Sequence, residues 1–247
     1  MDLGIAGRTA LVTGASGGLG LATAQALAGA GVRVAIVARS VERLAAASET
    51  IEGDPVSIPA DLSRPDEIDE MISAAQDALG DIDILVANAG GPPPGNFAST
   101  DLEAYPEALQ LNLLSTVAMC KALVPPMQER GWGRVVAITS ISVRQPIDQL
   151  ILSNTARAGL TAFLKTTATE VAPDGVTVNT VQPGLHATDR LTQLYDDLDT
   201  VASRLPTGVL GDPGDFGRVV AFVCSESARS ITGASIPVDG GTAKGLQ

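Results

Sequence analysis

Aromatic residues are scarce, 3% of a 247-residue chain with one Trp, two Tyr and four Phe. The core must therefore be built from Ala, Val, Leu and Ile, the mixture found where helices cover a parallel sheet. Basic residues are the minority, 16 against 28 acidic for a net charge of −12. A surface that negative repels a phosphate backbone, so nucleic acid is excluded as the expected partner. Cys120 and Cys224 form no C-x-x-C and stand beside no histidine, the chain having only one. Neither a disulfide framework nor a zinc or other metal site is expected; both thiols read as buried small hydrophobes in a reducing compartment. The uncharged stretch from Thr9 to Val32 is broken by glycines and by Ser16, Thr23 and Gln25. It reads as strand, glycine loop and helix, and no membrane span is expected. The start of the chain lacks the basic n-region and apolar run of a secretory signal, so the expected location is cytoplasmic.

What is present is material for one large core: 45% hydrophobic against 18% charged residues. That length and balance predict a single domain spanning 1–247, with no linker and no repeat. Apolar strand-like runs alternate with helical segments, the pattern of a parallel sheet with right-handed crossovers. Strands are expected at Thr9 to Val12, Val32 to Ala38, Val56 to Ile58, Ile84 to Ala87, Val135 to Thr139, Val176 to Val181 and Ser235 to Val238. Helices are expected at Gly18 to Ala28, Val41 to Glu52, Pro65 to Leu79, Leu102 to Val124, Leu150 to Val171 and Pro213 to Ser225. Ser63 and Asp212 are the expected N-caps of the third and sixth helices, and Pro173 closes the fifth. The predicted fold is a Rossmann-type, doubly wound α/β sheet of seven parallel strands with helices on both faces. The polar, acidic segment 189–205 interrupts the alternation and is expected to be a substrate lid.

The segment Thr13-Gly14-Ala15-Ser16-Gly17-Gly18-Leu19-Gly20 follows the first strand and opens the first helix. Glycine there allows a sharp turn, close approach to a pyrophosphate and exposure of helix N-terminal amides. Gly14, Ser16, Gly18, Leu19 and Gly20 are accordingly candidate nucleotide-binding residues. An NAD site would place an acid at the end of the second strand, where this chain has Ala38 and Arg39. A guanidinium suits a 2′-phosphate instead, which puts NADP (NADPH) ahead of NAD as the expected cofactor.

These residues, with Asp61, Ala87-Asn88-Ala89-Gly90, Asn112, Ser140, Val178-Asn179, Pro183-Gly184, Thr188, Thr232-Gly233 and Val238-Asp239-Gly240-Gly241 in that order, strongly resemble the short-chain dehydrogenase/reductase family. Within it the likeness is to β-ketoacyl carrier-protein reductases. The resemblance implies that Asp61 with Leu62 touches the adenine and that Asn88, Ala89 and Gly90 line the adenosine side. It implies too that Pro183, Gly184 and Thr188 hold the nicotinamide end. Family members use a Ser, a Tyr, a Lys and an Asn to move a hydride to or from a carbon bearing oxygen, and Asn112 and Ser140 match two of these.

The family's Tyr-x-x-x-Lys should begin 13 residues after Ser140, where this chain reads Ser153-Asn154-Thr155-Ala156-Arg157. Residues 153 and 157 share one helix face at i, i+4, but a serine is a far weaker acid than a tyrosine. Arg157 can hold ribose hydroxyls or an oxyanion yet passes no proton. His186, next to Pro183-Gly184-Leu185, is a candidate for the missing acid; Tyr195, Tyr105 and Asp148 read better as packing or surface residues. The leading expectation is an NADP-dependent oxidoreductase with an atypical catalytic set of Asn112, Ser140, Ser153, Arg157 and His186, acting on a small carbonyl or alcohol. The alternatives are a non-redox isomerase, cyclase or lyase on the same fold, and a catalytically silent nucleotide-binding protein. The apolar fourth and fifth helices point to a homotetramer or homodimer.

Overall fold

Alternation along each strand explains the layers. Leu11, Ala35, Val37, Leu85, Ala87, Val135 and Ala137 enter one core, while Ala10, Val12, Val34, Ile36, Ile84, Val86, Val136 and Ile138 enter another. Successive side chains of a strand point to opposite faces, so strands apolar on both parities demand cover on both sides. The structure, a computed structural model, describes residues 2–193 and 195–245. Met1, Leu194, Leu246 and Gln247, which fall within the expected domain 1–247 and, for Leu194, the expected lid, lie outside the described residues.

The chain runs β1 (Thr9–Thr13), α1 (Gly18–Ala28), β2 (Arg33–Ala38), α2 (Val41–Ser48), β3 (Val56–Pro59), α3 (Pro65–Leu79), β4 (Ile84–Ala87) and α4 (Ala104–Leu109). It continues with α5 (Ser115–Glu129), β5 (Gly133–Ile138), α6 (Ile151–Val171), β6 (Val176–Pro183), α7 (Asp189–Thr192), α8 (Leu198–Ser203), α9 (Pro213–Val223) and β7 (Ser235–Val238). The strands form one seven-stranded sheet in the order β3-β2-β1-β4-β5-β6-β7, and every pairing is parallel. Order reverses between β1 and β4, and in such sheets ligands bind beyond the carboxyl ends of the strands at that point. Helices α3, α5 and α6 contribute to the first core, α1 and α9 to the second. A side chain added at Gly217 of α9 would collide with the Ala22 carbonyl of α1, so glycine lets those two backbones meet.

Several boundaries differ from the expectation. The cap of α3 is Arg64, without a side-chain bond; Ser63 is instead drawn into a turn by Asp61, whose Oδ1 accepts from the Ser63 N–H and hydroxyl. Asp212 does cap α9, accepting from the Asp215 N–H at 2.8 Å. Helix α2 stops at Ser48 rather than Glu52, where the Thr50 hydroxyl donates to the Ala47 carbonyl. The expected fourth helix begins at Ala104, passes through a π-helical turn at Gln110–Leu114 and continues to Glu129 across Pro125 and Pro126. Full burial of Met127 holds the last turns helical despite the two lost N–H groups. This helix is long and apolar enough by length and composition to cross a membrane; here its Met119, Cys120, Leu123, Val124 and Met127 enter the first core.

Candidate active site

The loop between β1 and α1 is shaped around missing side chains. Gly14 and Gly18 have φ of 59° and 56°, the left-handed region that glycine reaches without steric cost. A Cβ on Gly14 would lie 2.7 Å from Asn88 Nδ2, and one on Gly20 would collide with the Gly14 carbonyl. Asn88 pins the loop from the end of β4: its Nδ2 donates to the Gly14 carbonyl at 3.1 Å, and its backbone N–H and C=O both bond the Thr13 hydroxyl. The loop is thus a cradle of backbone at the switch point, with half-buried Ser16 and Leu19 on its rim.

Arg39 leaves the end of β2 exposed and, among the described residues, in no ion pair. Asp61 stands across from it beyond β3, since the Ala60 N–H still bonds the Ala38 carbonyl. Partial burial would raise the Asp61 carboxyl, but the Ser63 bonds and the charges of Arg39 and Arg64 outweigh it and hold the carboxyl below its usual range. Leu62 beside it is buried. Sequence reading missed Arg43, one turn into α2, whose Nη2 sits 3.0 Å from where a Cβ on Gly17 would be. Arg43 also faces Asp189 of α7 at 3.9 Å, an exposed pair of little energetic weight.

At the ends of β4 and β5 the buried polar groups gather. Ser153 and Arg157 are 6% and 7% exposed, one turn apart on α6. Arg157 donates from Nη1 to the Ile138 carbonyl at 2.9 Å and from Nη2 to the Ala89 carbonyl at 3.1 Å. It therefore straps together two strand ends. Among the described residues no carboxylate pairs with it, and burial lowers its pKa to about 10, still cationic at neutral pH. Ser140 lies two residues beyond β5, its Oγ accepting from the Ser142 N–H at 3.0 Å. Asn112 lies in the π-helical turn, an irregularity frequent at functional sites. Both polar atoms of its side chain, and the hydroxyls of Thr139 and Ser142, are buried without a protein partner.

The loop after β4 walls this region. A Cβ added at Gly90 would meet nothing within 4 Å, and the extended run through the prolines is tied to the start of α6 by Gly95 N–H to Gln149 C=O and Ile151 N–H to Gly95 C=O. Arg190 of α7 approaches the same loop at the Pro92 carbonyl. Thr188 carries its methyl 3.5 Å from the Cβ position of Gly18, so the chain leaving β6 crosses the glycine loop. Gly184 packs against Asp239, and Pro183 pairs with Val238. His186 is buried: its ring meets Phe216 edge-on at 5.1 Å and its Nδ1 faces the Gly184 carbonyl at 3.3 Å. A Cβ on Gly211 would collide with that ring. Burial pushes the imidazole pKa down, leaving it neutral. Tyr105 is half-buried in α4, Asp148 is exposed and Tyr195 is 43% exposed just after α7.

A family model described as enoyl-(acyl carrier protein) reductase matches residues 14–243. The chain is 33% identical over 246 residues to dehydrogenase/reductase SDR family member 4 of Sus scrofa, covering 97% of this chain and 88% of that one. L-sorbose reductase from Gluconobacter frateurii, solved with NADPH and L-sorbose, superposes with a TM-score of 0.93 at 32% identity over the whole of both chains. An NADPH-bound short-chain oxidoreductase from Pseudomonas aeruginosa PAO1, described as containing an atypical catalytic centre, gives 0.92 at 31% identity over 98% of this chain and 99% of that one.

Proposed function

The chain belongs to the short-chain dehydrogenase/reductase family, and on that premise we propose that it is an NADP-dependent oxidoreductase acting on a small carbonyl or alcohol with an atypical catalytic set. The observation that carries this reading is the backbone cradle at Gly14, Gly18 and Gly20, where glycine is required by conformation or contact, with Arg39 exposed beside it. The solved relatives that hold NADPH support the same cofactor. Gly14, Ser16, Gly18, Leu19 and Gly20 would hold its pyrophosphate, Arg39 its 2′-phosphate, Asp61 and Leu62 the adenine, and Asn88, Ala89 and Gly90 the adenosine side. Pro183, Gly184, Thr188 and Arg157 would hold the nicotinamide end. When bound, the nicotinamide supplies or accepts the hydride.

The register that places Ser153 and Arg157 at the family's Tyr and Lys positions is part of the proposal. It rests on their shared buried helix face, with Ser140 following the adjoining strand. Ser140 and Ser153 then orient the substrate oxygen and Arg157 supplies fixed positive charge. His186, neutral and packed on Phe216, is assigned to shaping the turn above the pocket rather than to proton transfer. The segment 189–205 is the proposed lid, supported by the approaches of Asp189 to Arg43 and Arg190 to Pro92. A homo-oligomer in a cytoplasmic setting completes the reading, supported by Leu102 and Leu114 at 77% and 48% exposure and by two buried free thiols.

Arg39→Ala tests the cofactor assignment. A charge-assisted phosphate contact contributes about 1 to 3 kcal/mol, so the variant should weaken NADPH by roughly 5- to 150-fold and leave NADH nearly unchanged. An unchanged ratio of the two dissociation constants in titration calorimetry would remove Arg39 from the site.

A further inference from the structure

Helix α2 delivers a guanidinium to the glycine loop. Ser40 caps that helix, its Oγ accepting from the Arg43 N–H at 3.1 Å, which fixes residue 43 in the first turn beyond the end of β2. From there the Arg43 side chain reaches back until its Nη2 lies 3.0 Å from the position of a Cβ on Gly17. Even a methyl group at residue 17 would press on the guanidinium. The Arg43 side chain is 60% exposed, so a ligand on the loop can reach it. Its ion-pair partner among the described residues is Asp189 at the start of α7, 85% exposed, with Oδ2 at 3.9 Å.

Arg43 approaches the loop from the β2 side, the side on which the proposed reading puts the 2′-phosphate. A phosphate monoester carries about 1.5 to 2 negative charges at neutral pH and presents three acceptor oxygens. One guanidinium fork engages two of them, which leaves an oxygen for a second cation. An exposed ion pair contributes little, so Asp189 does not hold Arg43 against such an anion. Its own charge opposes the anion instead.

We propose that Arg43 is a second specificity-determining residue for the 2′-phosphate, which it shares with Arg39, and that Asp189 sets the strength of the preference by competing for the Arg43 guanidinium. The proposal rests on the NADP-dependent reading and adds to it a residue of the proposed lid. Arg190, next to Asp189, has its Nη2 3.5 Å from the Pro92 carbonyl and 3.7 Å from the Cβ position of Gly91. Successive residues of α7 thus face the nucleotide side and the proline loop, so the acid that tunes the cofactor is built into the segment that walls the substrate.

The test uses adenosine 2′,5′-bisphosphate and 5′-AMP, which differ only in the 2′-phosphate and carry no nicotinamide. Each is titrated calorimetrically into the wild type, Arg43→Ala, Arg43→Lys, Asp189→Asn and the double variant Arg43→Ala, Asp189→Asn, with melting curves showing that all are folded. Arg43→Ala should weaken the bisphosphate about 5-fold or more, the loss of one charge-assisted bond, and change 5′-AMP less than about 2-fold. Arg43→Lys should keep part of the affinity. Asp189→Asn should tighten the bisphosphate by about 1.5- to 5-fold, the range of an exposed ion pair, and should gain less where Arg43 is already Ala. An unchanged bisphosphate affinity in Arg43→Ala overturns the proposal. So does an equal loss for both nucleotides, the mark of a contact to the phosphate that they share. A gain from Asp189→Asn of the same size with and without Arg43 overturns the competition. If Arg39→Ala removes the preference and Arg43→Ala does not, the NADP reading stands without Arg43; a wild type that binds both nucleotides equally removes that reading as well.

Discussion

The double variant Ser153→Tyr, Arg157→Lys is expected to reduce β-keto esters about a hundred-fold or more faster than the wild type, with NADPH as donor. In the proposed register, Ser153 offers a hydroxyl of ordinary acidity and Arg157 a guanidinium that does not deprotonate at the positions where a ketone reductase needs a proton donor. The substitutions put a phenol on the buried face of α6 and an ammonium one turn further on, at the ends of β4 and β5. A neighbouring positive charge lowers a phenol's pKa towards the working range, and general acid catalysis then contributes about 10² to 10⁴. Lysine can keep one or both of the carbonyl bonds that Arg157 makes to Ile138 and Ala89, since its ammonium has three donors. Ser153→Tyr alone should gain less, because the new ring enters a site that is 6% exposed and Arg157 offers it no transferable proton. A folded, NADPH-binding double variant no faster than the wild type would show that the register assigned to residues 153 and 157 is wrong.

The second large effect is expected at Gly20. A Cβ there would collide with the Gly14 carbonyl and come 2.8 Å from Asn88 Nδ2. These are the two groups whose mutual hydrogen bond fixes the glycine loop to the end of β4. Gly20→Ala has no flexible side-chain end to push aside, so the loop or the first turn of α1 must move. Backbone amides aimed at a pyrophosphate then lose their common target. We expect NADPH affinity to fall by at least about a hundred-fold, roughly 2.7 kcal/mol. The fold should survive, because the sheet and the helices away from this loop do not depend on it. Wild-type affinity in a calorimetric titration of Gly20→Ala would mean that the nucleotide does not use this loop.

The sheet was legible because its strands are apolar on both parities and the segments between them carry helical spacing. The glycine loop was legible because the chain needs glycine there for conformation and contact alike. What escaped was set by tertiary contact. Nothing local at Gln110–Leu114 marks a π-helical turn, and the continuation of α5 through Pro125 and Pro126 depends on burying Met127. Ser63 looked like a helix cap by residue type, but the Asp61 carboxylate two residues earlier drew it into a turn. Arg43 belongs beside the glycine loop only because its side chain reaches Gly17 from α2, and His186 was offered as the missing acid because Phe216 and Gly211, which pack on its ring, are distant in sequence. Arg157 was visible as the residue one helical turn after Ser153; that it is buried against the Ile138 and Ala89 carbonyls, with no carboxylate partner among the described residues, was not.

The central claim, that this pocket transfers a hydride, is tested most directly with NADPH carrying deuterium at its transferable position. The protein is mixed with a panel of small ketones and β-keto esters, and the products are analysed by mass spectrometry. The account predicts one deuterium in the reduced product, on the carbon that bore the carbonyl oxygen. Bound NADPH together with unlabelled, unreduced carbonyl compounds across such a panel would contradict it and favour an isomerase, cyclase or lyase on the same fold.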